Sequence, residues 1–116
     1  MSMQQHVLTL ELNDDQELIR LYEQYHEPGG VWSEVLESIR ASGIENMQIY
    51  RIGTLLVMAL EVNSSFTFEA KSETDKANPK VQEWERLMER FQRVDMTQSK
   101  PGKWQVMEQI FQLHDH

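Results

Sequence analysis

The sequence predicts an α+β domain in which a four-stranded antiparallel sheet carries its helices on one face. Three observations carry that prediction. Period-two alternation opens and closes the chain, a hairpin signal through Gly53 sits in the middle, and blocks of helical spacing fall between them. A chain of 116 residues has length for one core and not two, so residues 1–116 are expected to form a single domain.

His6 to Leu12 alternates, with Leu8, Leu10 and Leu12 on one face and Val7, Thr9 and Glu11 on the other. Asn13-Asp14-Asp15 supplies capping side chains for the start of a helix. Within that helix Leu18, Tyr22 and His26 recur every fourth residue, so they share one stripe, flanked by Leu21 and Tyr25. Pro28-Gly29-Gly30 breaks it, because the position before proline disfavours helix and the glycines permit a bend. Trp32, Val35, Leu36 and Ile39 predict a second helical piece, with Ser42-Gly43 as its C-terminal cap.

Two strands are predicted over Ile44 to Arg51 and Leu55 to Val62, joined by a short turn at Gly53. The second is apolar on both faces, with Leu56, Met58, Leu60 and Val62 against Leu55, Val57 and Ala59. After a turn at Asn63-Ser64-Ser65, the stretch Phe66 to Thr74 reads as weakly helical or irregular. Asn78-Pro79 is a strong helix start, a cap followed by proline at the first helical position. Val81, Trp84, Leu87, Met88 and Phe91 then line one face to about Arg93. Residues 95–103 read as a polar loop, and Trp104 to Leu113 as a final strand.

The resulting order, β-α-α-β-β-α-β, is the split-βαβ, ferredoxin-like arrangement. One face of such a sheet lacks helices. A strand apolar on both faces therefore predicts that two copies close sheet against sheet, a homodimer forming a dimeric α/β barrel.

Composition narrows the partners. Eleven basic against nineteen acidic side chains give a net charge of −8, and no Lys/Arg cluster is present, so neither nucleic acid nor an anionic membrane surface is an expected partner. A small neutral ligand suits that charge. No apolar run approaches the roughly 18 residues of a membrane span, and Met1 to His6 lacks the marks of a signal peptide. The absence of Cys excludes disulfides and thiolate chemistry and fits a cytoplasmic location.

His26 is the candidate proton-transfer residue. It ends its stripe just before a glycine-rich bend, where a pocket has room to open, and imidazole both gives and takes a proton near neutrality. Spacing alone favours a plainer reading, a helix-end histidine interacting with the dipole. Tyr22, one turn earlier, projects from the same face and is suited to orienting a hydroxyl. Trp84, on the inner helix face, is either a core aromatic or the flat wall of a carbohydrate site. Trp32 and Trp104 read as core, and Tyr50 faces away from Met47 and Ile49. His6 opens a strand, and His114 and His116 lie near the C-terminus. No two-histidine spacing with metal-ligand geometry appears, so no metal is expected. The acidic pairs Asp14/Asp15 and Glu83/Glu85 read as a cap and a solvated helix face.

The chain resembles the L-rhamnose mutarotase family along nearly its whole length. Tyr22 through His26 followed by Trp32 through Leu36 is similar to that family's Y-x-x-x-H…W-x-E signature, and Gly43 to Tyr50 to its first hairpin strand. Ile49 to Val62, Ala77 to Met88 and Lys103 to Phe111 resemble its fucose-acting branch. The resemblance implies a dimeric ferredoxin-like barrel with no metal or organic cofactor. It implies His26 as the acid/base residue, Tyr22 and Trp84 as sugar contacts, and a small neutral monosaccharide as substrate. Two sugar-contacting aromatics of the rhamnose enzymes are absent, their aligned places holding Met47 and Glu85, which turns the expectation toward L-fucose. The same fold also hosts cofactor-independent oxygenases, lactone isomerases and non-catalytic ligand-sensing dimers. Those alternatives predict turnover of an aromatic or lactone substrate, or sugar binding without rate enhancement.

Overall fold

In the computed structural model, which describes residues 3–93 and 104–116, a four-stranded sheet is backed by four helices on one face. Strand β1 (Gln4–Glu11) is followed by helices α1 (Gln16–Tyr25) and α2 (Ser33–Ala41), then by the hairpin β2 (Ile44–Ile52) and β3 (Leu55–Val62). Helices α3 (Phe68–Ala77) and α4 (Pro79–Glu89) lead to the short strand β4 (Gln105–Val106). The strands lie in the order β2-β3-β1-β4, with β1 central and every pairing antiparallel. This is the ferredoxin-like α+β topology expected from the element order.

Side-chain alternation sets the two faces. Leu8 and Leu10 of β1, with Leu56, Leu60 and Val62 of β3, point at the helices and are buried. Leu10 and Leu56 meet Ile19 and Tyr22 from α1, Val35 from α2, and Trp84 and Met88 from α4, while Leu8, Leu60 and Val62 pack with Ile44 and Phe66. Burying each large apolar side chain of this kind stabilises the fold by roughly 1.5–3 kcal/mol. On the opposite face the register aligns Thr9, Val57 and Tyr50 across three strands, with Val7, Ala59 and Gln48 in the next row. No helix among the described residues covers this face, and Tyr50 is exposed.

The helices start where the sequence indicates. The Asp15 carboxylate accepts from the Glu17 and Leu18 amides, and Asn78 caps α4 by accepting from Lys80 and Val81. Two expectations are corrected. Phe66 to Thr74, read as weakly helical or irregular and left out of the element order, is helical: residues 68–77 make the regular helix α3. Thr67 caps it through the Ala70 amide, and a Lys71–Asp75 ion pair of 2.8 Å braces one turn. No residue of α3 is buried, so the apolar periodicity that reveals a helix in sequence is missing.

The second correction concerns Trp104 to Leu113, where only Gln105–Val106 is strand. It pairs with Leu8 and Thr9, and a last bond from the Met107 amide reaches the Val7 carbonyl at 2.7 Å. Past this point the chain leaves β1. Ile110, Phe111 and Leu113 are all exposed, and a 3-10 turn closes the chain at Leu113–Asp115. Alternation shows which residues are able to share a face, but a strand also needs an edge to pair with. The predicted loop over 95–103 lies outside the described residues.

Candidate active site

The end of α1 fixes the first group of the site. Helix α1 tightens as it closes, the His26 amide donating to the Glu23 carbonyl at 3.1 Å rather than to the carbonyl of Tyr22. The Tyr22 carbonyl instead accepts from the His26 ring, Nδ1 to O, at 2.7 Å. A carbonyl only accepts, so Nδ1 carries the hydrogen and Nε2 of the neutral ring is left with its lone pair. Nε2 has no partner among the described residues. The bend that follows is tight. Gly29 adopts φ +85, and a Cβ on Gly30 would lie 2.5 Å from the Tyr25 carbonyl oxygen, so only glycine fits there.

Aromatic side chains from two helices contact this imidazole. Tyr22 stacks on it at 4.2 Å between ring centroids, and Trp84 of α4 presents an edge contact at 5.8 Å. Trp84 is itself held by Trp32 at 5.3 Å and by Tyr25 at 6.0 Å. The structure thus brings together all three residues singled out from sequence: His26, Tyr22 and Trp84. They line one cleft of about 470 Å³, large enough for a monosaccharide, between the helices and the helix-facing side of the β2-β3 hairpin. Its wall includes Met47, Ile49 and Met58, and Arg40, Glu45 and Asn46 supply polar groups.

The surroundings set the protonation states. Burial pushes the His26 pKa below the ordinary imidazole value, and the bond to the Tyr22 carbonyl offsets part of that shift. The ring is therefore neutral at physiological pH, the state in which Nε2 accepts a proton. Burial raises the Tyr22 pKa, so its phenol stays protonated and is able both to donate and to accept a hydrogen bond.

Several positions differ from their sequence reading. Trp104, read as core, also lines the cleft, and Met47 is part of the same wall. Glu85 does not line it. It faces an adjoining cavity of about 260 Å³ and accepts a hydrogen bond from Gln82 at 3.3 Å, so the solvated-face reading holds for Glu83 but not for Glu85. Gln92, which no motif or periodicity marked, lines both cavities. Tyr50 does not line this cleft, but it shares a second cavity of about 380 Å³ with Tyr22 and His26. Among the described residues no group of three or more His, Asp or Glu side chains is arranged to hold a metal ion. No helix among them is long and apolar enough to cross a membrane.

Fold and cleft together define an α+β protein with a sheltered pocket in which a neutral imidazole faces a space fit for a small polar ligand. Comparison with known proteins makes the class specific. The sequence profile of L-rhamnose mutarotase matches residues 5–113. An L-fucose mutarotase of Xanthomonas campestris pv. campestris is 41% identical over 99% of this chain and 92% of its own length. A UPF0734 protein of Dictyostelium discoideum is 37% identical over 82% of this chain and 77% of its own. The crystal structure of an L-rhamnose mutarotase from Formosa agariphila superposes with a TM-score of 0.68 over 95% of this chain and 98% of that one. At 17% identity it speaks to the fold alone. The chain belongs to the L-rhamnose mutarotase family and is a sugar mutarotase.

Proposed function

We propose that this chain interconverts the α and β anomers of L-fucose, with L-rhamnose as a second substrate, by ring opening assisted by His26. The observation that carries the reading is the His26 ring itself, held by Nδ1 on the Tyr22 carbonyl so that Nε2 is free beside the Trp84 edge. Nε2 takes the proton from the anomeric O1 hydroxyl. As the C1–O5 bond breaks and C1=O1 forms, the ring oxygen receives a proton that the imidazolium returns. Rotation about C1–C2 and closure on the other carbonyl face give the second anomer. A positioned acid/base contributes about 10²–10⁴-fold to such a step.

Tyr22 orients a sugar hydroxyl, and Trp84 packs against the apolar sugar edge that includes the C6 methyl. The preference for fucose rests on the fucose-acting relative at 41% identity and on Met47, a flexible thioether, at a place where the rhamnose enzymes carry an aromatic. The proposal places residues 1–116 as one domain acting in the cytoplasm, with neither nucleic acid nor membrane as partner.

It also takes a second copy of the chain as partner, closing on the helix-free sheet face through Val7, Val57 and Tyr50. Ile110 and Phe111, exposed on the single chain, add apolar surface for the same partner. The deciding measurement is exchange NMR on equilibrated anomers. We expect faster anomer exchange with L-fucose than with L-rhamnose. Rates equal to the uncatalysed ones for both sugars would refute the reading.

A further inference from the structure

Gln92 stands out among the polar groups of the molecule. It follows α4 and is pinned as an isolated bridge partner of Leu12, between two main-chain bonds of 2.9 Å, Asn13 N–H to Phe91 O and Arg93 N–H to Glu11 O. Its backbone therefore has little freedom. The residue is only 9% exposed, and its side-chain oxygen has no hydrogen-bond partner among the described residues. Leaving a buried amide oxygen unpaired costs about 1–3 kcal/mol, and native proteins rarely tolerate it without a use.

The location supplies the use. Gln92 lines the His26 cleft and also the adjoining cavity, which contains neither His26 nor Tyr22. It thus belongs to the wall that the two cavities share, together with Met58, Trp84, Met88 and Trp104. A pyranose whose anomeric carbon faces His26 has its other ring hydroxyls to satisfy from the rest of the cleft wall, to which Gln92 belongs.

We infer that Gln92 is a substrate-anchoring residue whose side-chain oxygen accepts a hydrogen bond from a sugar hydroxyl remote from the anomeric centre. This rests on the mutarotase reading given above. A buried acceptor without a partner among the described residues rewards a hydroxyl at one ring position and penalises its absence, so Gln92 also contributes to the choice of sugar. Because it does not take part in the proton transfer, its effect falls on binding.

The experiment compares wild type with Gln92→Met, which keeps the side-chain volume and removes the acceptor, and with Gln92→Asn, which keeps the amide but retracts it by one methylene. Anomer exchange is followed on L-fucose, L-rhamnose and the 2-, 3- and 4-deoxy forms of L-fucose, with melting temperatures in parallel. For L-fucose, KM is expected to rise about tenfold in Gln92→Met and to a similar degree in Gln92→Asn. We expect kcat to stay within about twofold. The melting temperature of Gln92→Met should not fall, since an unpaired buried amide has been removed. One deoxy sugar should bind wild type about tenfold more weakly than L-fucose does and be insensitive to Gln92→Met. An active wild type whose KM is unchanged in both variants overturns the inference alone, as does a melting temperature lowered by several degrees with kcat falling alongside. A wild type that accelerates neither L-fucose nor L-rhamnose overturns both the functional reading and the inference.

Discussion

Replacing His26 with Asn separates the ring's two roles. An Asn amide keeps a donor near the position of Nδ1, so the 2.7 Å bond to the Tyr22 carbonyl is reproducible and the end of α1 keeps its cap. What disappears is Nε2 and the stacking on Tyr22 at 4.2 Å. Loss of the stack costs about 0.5–1.5 kcal/mol. Against a typical domain stability of about 5–15 kcal/mol, the protein stays folded at 25 °C and its melting temperature drops by a few degrees.

If Nε2 is the proposed proton-transfer group, its loss instead lowers the accelerated anomer exchange by about 10²–10⁴-fold, equivalent to about 3–5 kcal/mol of barrier. The kinetic effect thus greatly exceeds anything that partial unfolding at 25 °C produces. Exchange NMR on L-fucose together with thermal denaturation measures both quantities. Wild-type exchange rates in folded His26→Asn would refute the assignment of the proton to Nε2.

Three further outcomes follow from the same geometry. Because burial lowers the His26 pKa, the active neutral ring persists into mild acid. The pH-rate profile should therefore be flat at neutral pH and fall with a midpoint below the ordinary imidazole value of 6.5. Below 6.5 the unfolded chain protonates His26 before the folded one does, so stability is lost as pH falls, and thermal melts from pH 7 to 5 should show a smaller loss for His26→Asn than for wild type. Tyr22→Phe keeps the buried ring but deletes the phenol hydroxyl. It should raise KM for L-fucose several-fold while shifting the melting temperature by only a few degrees. Val57→Glu, placed between Thr9 and Tyr50 on the helix-free face, should turn a dimer into a folded monomer by light scattering.

Most of the fold was legible because its signals are local. The Asp15 and Asn78 caps, the glycine at the hairpin and the alternation of β1 and β3 each mark a boundary within a few residues of chain. Helix α3 read only as weakly helical or irregular because nothing in it is buried and its support comes from elsewhere, including the Ser38 hydroxyl donating to Asp75 at 3.2 Å. The end of β4 was misread because pairing depends on a neighbour, and the chain departs from β1 after Met107.

In the site, Tyr22 and His26 were legible as one helical stripe. Trp84 required the packing of α4 to bring it to them. Gln92 carried no signal at all, since an isolated glutamine at a helix exit looks like any surface residue until its bridge to Leu12 turns it inward.

The carbonyl of Tyr22 has a wider consequence. Every helix ends with carbonyls that lack an amide to receive, and most proteins hand these to water or to a capping residue. Here one such leftover acceptor holds the imidazole in a single tautomer. The length of α1 and the chemistry of its last side chain are then one property. An insertion or deletion that moved the helix end by one residue would leave His26 in the sequence but release its ring, trading an imidazole held in one tautomer for one free to turn.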